Sequence, residues 1–253
     1  MNGTPLPPAL QIGSGVLILA TGAFLVAGHA ILNALASRTA PAPRARRAPW
    51  LVGGYLSLWL AVALISADAA NFPQPRPLVR LLLAAVVGFG PLVLALALLL
   101  GSKTLQTLNS SMDPAWLVRL QVYRMGGLVF LFPFLAYGVV PAGFAWPAAT
   151  GDFLTGFAAL FVGWALARRR PGARGWAIAW NVFGILDLIV APTAAILSST
   201  DVTTQYPLAL IPLFVGPPVG ILTHVCSLRN LATVAGRQAT RHALSPAEAL
   251  GTT

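Results

Sequence analysis

The fold class this sequence predicts is an all-α bundle of seven transmembrane helices, and three observations predict it. Of the 253 residues, 57% are hydrophobic and 9% charged. Mean hydropathy is +0.78. That balance belongs to membrane-embedded chains rather than to soluble domains. Second, the apolar residues gather into seven runs, most of them close to the ~20 residues that cross a bilayer core of roughly 30 Å. Third, the basic residues lie between the runs, nearly all on alternate connections.

The runs are predicted at residues 11–35, 50–67, 78–100, 115–140, 152–167, 176–197 and 206–228, which leaves 229–253 as a basic tail. The first follows a segment with no basic side chain, so it reads as an anchor rather than a signal peptide, although Ala34-Leu35-Ala36 resembles a cleavage site. The second opens on an interfacial Trp50. The third carries Gly90-Pro91 at mid-span, where proline removes a donor and a kink is expected. A polar loop with Lys103 follows. The fourth has Arg119, Gln121, Tyr123 and Arg124 in its first half. The fifth is the shortest and is expected to open at Asp152 after a proline-broken connection, or earlier, near Trp146. The sixth opens on Trp176. The seventh holds Gly216-Pro217. The start of the tail suits an amphipathic helix on the membrane surface.

With seven spans, the connections after spans one, three and five share a side with the tail. They hold Arg38, Arg44, Arg46, Arg47, Lys103, Arg168, Arg169, Arg170, Arg174, Arg229, Arg237 and Arg241; the other side holds Arg76, with Arg80 just inside span three. The positive-inside rule therefore places the N-terminus outside and the C-terminus in the cytoplasm. The net charge of +10 is accounted for by topology and an anionic inner leaflet, so no nucleic-acid partner is implied. The single cysteine, Cys226, excludes an internal disulfide and CxxC chemistry.

An internal repeat is also expected. Trp50 and Trp176, Gly90-Pro91 and Gly216-Pro217, and Lys103 and Arg229 are each 126 residues apart. Spans one to three would then match spans five to seven in parallel, with span four as linker, a 3+1+3 plan found in transporters.

Polar residues inside the spans are few, and each has a cost. A carboxyl at mid-membrane costs roughly 2.5–3.5 kcal/mol. Asp187 lies at the middle of span six, with Asn181 and Gly184 on the same side of the helix at i−6 and i−3. At 1.5 Å per residue, Arg124 lies roughly 13 Å and Asp187 roughly 16 Å from the inner membrane face. They can therefore meet as a neutralising pair. Gln121 and Gly127 flank Arg124 and give span four a polar, small-residue side. Asp152, after Gly151, reads either as a helix N-cap or as a group at the outer mouth. His29 and His224 share similar depth on two helices, the requirement for bis-histidine haem b or half of a metal site; the alternative is two histidines bonded to neighbouring groups. Retinal chemistry is excluded because the only lysine, Lys103, lies in a loop, and neither a Walker motif nor GxGxxG is present.

Several pieces of the second half resemble a group of uncharacterised bacterial multi-pass membrane proteins. They are Gln121-Val122-Tyr123-Arg124-Met125-Gly126, Gly151-Asp152, Trp180-Asn181-Val182-Phe183-Gly184-Ile185-Leu186-Asp187-Leu188, and the stretch from Ile211-Pro212 to His224. That resemblance implies no activity. The 3+1+3 plan is similar to that of SWEET-type sugar transporters at the level of fold, but their PQ motif within a span is missing: Pro73-Gln74 lies in a loop.

These features point to a transporter or solute-binding protein of the bacterial cytoplasmic membrane more than to an enzyme, which would need a substrate-sized polar cavity with a metal or cofactor. Asp187, Arg124, Asn181, Gln121 and Asp152 would contact a small solute or proton, and Gly90, Pro91, Gly216 and Pro217 would form hinges lining a cavity. The rival readings are haem or metal binding through His29 and His224, and a scaffold acting as a homo-oligomer or accessory subunit of a membrane complex. Topology is the most direct consequence. A Gly172→Cys variant on a Cys226→Ser background is expected to resist impermeant thiol reagents in intact cells and to react in inverted vesicles; labelling from outside would reverse the orientation.

Overall fold

The computed structural model describes residues 7–39, 46–69, 82, 84–132, 137–138, 140–197 and 210–244. Every regular element among them is helical. The connections holding Arg44, Arg76, Arg80 and Asp201, and residues 206–209 of the predicted seventh span, lie outside the described residues.

Helices α1 (Pro8–Thr39) and α2 (Ala48–Ala69) pack on each other. A π-helical segment, Ala84–Phe89, leads into α3 (Gly90–Gly101). The chain then bends by 90° into α4 (Lys103–Ser111), where a loop was expected. Ser102 at the bend accepts from the Leu105 N–H and so starts the new helix. Asp113 caps α5 (Pro114–Arg119), accepting from the Ala115 N–H at 2.8 Å, with proline where no helical donor is needed. The helix then tightens into a 3₁₀ helix over Leu120–Phe130. Next come α6 (Ala142–Ala167), α7 (Ala173–Leu197), a second π segment (Ile211–Val215) and α8 (Pro217–Leu244). The last helix continues past Leu228, where the span was expected to end.

Among the described residues, five helices are long and apolar enough to cross a membrane, or six if α3 with its π turn and the bent α4 form one broken span. Large apolar side chains point outward along them: Phe157, Phe161 and Trp164 on α6, and Phe183, Leu186 and Ile189 on α7 are all exposed. That is the surface a bilayer requires and water does not favour.

The fifth helix begins ten residues earlier than the predicted start at 152. Pro147 is the reason for the difference. It was read as breaking the chain, but it sits in the second turn of α6, where its cost is one hydrogen bond near the helix start. Asp152 is therefore not an N-cap.

The two Gly-Pro breaks share one construction. Each follows a π segment, and the two segments cross so closely that a Cβ on Gly88 would lie 2.6 Å from the Pro212 carbonyl oxygen. Pro91 and Pro217 lack the N–H groups that would bond the carbonyls four residues earlier, Val87 and Leu213. One side chain serves both: the Trp59 indole N–H donates to Val87 O at 2.7 Å and Leu213 O at 3.1 Å. Tyr55, a turn earlier on α2, donates to Pro91 O at 2.5 Å. Trp59 also packs edge-on against Phe214 at 5.3 Å, within a core that includes Leu25 and Leu56. The two bridged carbonyls are themselves 126 residues apart, the spacing expected for the repeat.

Trp59→Phe keeps an aromatic ring at the position and removes the shared donor. We expect a loss of about 2–4 kcal/mol in reversible unfolding in detergent, with a smaller loss on a Pro91→Ala background, where residue 91 regains a donor. Equal losses in both backgrounds would contradict this assignment.

Candidate functional site

The 3₁₀ segment decides which residues share a face. At three residues per turn, positions i, i+3 and i+6 align in a straight row. Gln121, Arg124, Gly127 and Phe130 form that row, and all four are buried. Arg124 points from it into the contact between α6, α7 and α8.

Its guanidinium is held on three sides. Nε donates to Asp152 Oδ1 at 2.7 Å, and Nη2 pairs with Asp187 Oδ2. Nη1 donates to the Gly184 carbonyl at 3.2 Å and to His224 Nε2 at 3.3 Å. Asp152 is the eleventh residue of α6 and Asp187 the fifteenth of α7, so both acids sit near mid-helix. Asp152 is thus a direct partner of Arg124 and not an end group.

The network fixes the histidine. A guanidinium only donates, so His224 Nε2 must be the bare nitrogen and Nδ1 carries the proton. Nδ1 then donates to Asn181 Oδ1 at 2.9 Å. The Asn181 amide donates in turn to Ala177 O at 2.7 Å and Ser227 Oγ at 3.0 Å. The orientation of every group follows from Arg124. The Trp180 ring lies 4.9 Å from the imidazole, and its N–H donates to the Thr155 carbonyl at 3.0 Å.

Glycines make room for the charges. A Cβ on Gly151 would occupy the Asp187 carboxylate, one on Gly127 would strike Asp152, and one on Gly184 would strike the His224 ring. Gly156 lets α6 approach the backbone at Met125, where a Cβ would lie 2.5 Å from the amide nitrogen. Small residues of this kind allow close packing of helices in membranes.

The structure brings Arg124, Asp187, Asn181 and Asp152 into one cluster. Gln121 lies one row position away and donates to Gly220 O at 3.0 Å. His224 belongs to the cluster, which sequence reasoning missed because depth alone does not reveal which face meets which. Both its ring nitrogens are engaged within the network. His29 bonds instead to Thr223 at 2.9 Å, on a different side of α8. Among the described residues no group of three His, Cys, Asp or Glu side chains is placed to hold a metal ion. The π segments at the Gly-Pro breaks contact each other, α1 and α2.

Fold and site together define an all-helical protein with helices of membrane-spanning length, assembled around one buried guanidinium with two carboxylate partners. The chain belongs to the family described as domain of unknown function DUF8737, which matches it over residues 80–232. That stretch contains every member of the Arg124 cluster and leaves out α1 and α2, with His29 and Trp59. No curated protein and no solved structure matches the chain.

Proposed function

We propose that the protein is a seven-span transporter of small solutes in the bacterial cytoplasmic membrane, with the Arg124 cluster as its solute and proton site. The observation that carries this reading is the shared guanidinium: one cation faces two carboxylates from two different helices. A cluster kept only for packing is satisfied by a single pair. A surplus acid near mid-membrane adds several kcal/mol of cost, and intramembrane acids of that kind mark ion and proton pathways.

The remaining span, the fourth in chain order, is α5 with the 3₁₀ helix. Six residues at 1.5 Å and eleven at 2.0 Å give about 31 Å, so the tightened helix crosses the bilayer with fewer residues than an α-helix needs. Seven spans put the Arg168-Arg169-Arg170 turn in the cytoplasm and the N-terminus outside. Arg124 then lies between two levels. Asp152 packs beside Gly127 on the outer side of the guanidinium, and Gln121 lies on the inner side. Alternating access needs such an arrangement, in which one layer separates two compartments.

Purified protein in liposomes, with a trapped pH indicator, tests the reading. A panel of small solutes imposed as gradients is expected to move lumenal pH for one class, and Asp187→Asn should reduce that flux at least tenfold. A lumen that responds to no solute, or a flux unchanged by Asp187→Asn, would refute it.

A further inference from the structure

We infer that the site takes a small monovalent cation in exchange for one proton, so that the transporter is an antiporter; this rests on the transport reading above. A buried arginine usually suggests an anionic ligand. Here the donors are already committed. Four of the five guanidinium N–H groups go to Asp152, Gly184 O, His224 and Asp187. An anion would find almost nothing to bind.

The charge count points the same way. His224 accepts from Arg124 and is therefore neutral. One guanidinium against two carboxylates leaves one surplus negative charge, which either a proton or a cation can balance. Asp152 keeps the larger accessible side-chain area of the two carboxylates, 21% against 8% for Asp187. Its neighbours Ala148, Ala149, Gly151, Thr155 and Gly156 are all buried, so the carboxylate is flanked by the helix packing.

Uncommitted oxygens lie on the elements that carry the charge. Thr155 is fully buried one turn along α6 from Asp152, on the same face, and its hydroxyl has no hydrogen-bond partner among the described residues. Gln121 Oε1, on the inner side of Arg124, and the Tyr123 hydroxyl, near Gly220 of α8, are unpartnered as well, further from Asp152 than Thr155 is in the helix packing. Buried polar atoms in native proteins find partners. An amide oxygen can only accept, and the two hydroxyls can accept. A buried acceptor one helical turn from a surplus negative charge suits a cation. When it arrives, the O–H bond of the Asp152 carboxylic acid breaks, the proton leaves to water, and the cation takes its place beside the carboxylate with charge conserved. The other titratable and charged groups around this position are Arg124 and Tyr123 of the 3₁₀ helix, Asp187 of α7 and His224 of α8.

The test needs no membrane. Purified protein in detergent, weakly buffered near neutral pH with an indicator dye, receives sodium, potassium or methylammonium chloride, with choline chloride matching ionic strength. We expect at least one of the three to cause saturable acidification of one proton per protein, absent in Asp152→Asn. Thr155→Val, which changes no charge, should weaken the apparent affinity about tenfold and serves if the Asn variant does not elute as folded protein. Saturable binding of a cation without acidification overturns the exchange. No response to any cation while liposome uptake persists overturns the cation assignment and leaves the transporter reading standing. Acidification without uptake removes the transporter reading and leaves the ion site.

Discussion

The structure depends on one guanidinium shared by two carboxylates in a low-dielectric interior. An isolated arginine at mid-membrane is costly, and so is an isolated aspartate. Here each pays for the other, and the geometry is specific because three helices must deliver their groups to one point. Arg124 reaches Asp152 of α6, Asp187 of α7 and His224 of α8. Those three contacts set the relative positions of the helices in the second half of the chain.

Other features follow from that requirement. Close approach of charges demands close approach of backbones, and the glycines at 127, 151, 156 and 184 supply it. The 3₁₀ helix delivers Gln121, Arg124 and Gly127 in a straight row where an α-helix would spread them around its axis. A run of this length is uncommon, and it coincides with the segment whose side chains carry the charge. The first half is organised differently, around Trp59 and the two crossing π segments. Helix α8 joins the two regions: Thr223 bonds to His29 of α1, while His224 and Ser227 bond toward α7 and the 3₁₀ helix.

Much of this was legible in the sequence, for physical reasons. Hydropathy gave an all-helical chain with apolar helices of spanning length, because lipid leaves the backbone few options. Depth along two helices brought Arg124 and Asp187 to the same level. Asp152 was misplaced because Pro147 was taken as a break, when a proline early in a helix is tolerated. His224 was read either as a haem or metal ligand or as bonded to neighbouring groups, because its depth was visible and its facing partner was not. Trp59 carried no signal of its own. Its role follows only once both prolines, and the carbonyls four residues before them, are known to lie together. The 126-residue spacing hinted at that pairing without showing what would fill it.

The central claim is that Arg124 is required because two carboxylates face it. The most direct measurement is the unfolding free energy in detergent of Arg124→Met, compared with Arg124→Met combined with Asp152→Asn and Asp187→Asn. The account predicts that the single variant loses about 3–5 kcal/mol, from two buried acids left without their partner, and that the triple variant recovers most of it. A single variant as stable as the parent, or a triple variant no better than the single, would contradict it.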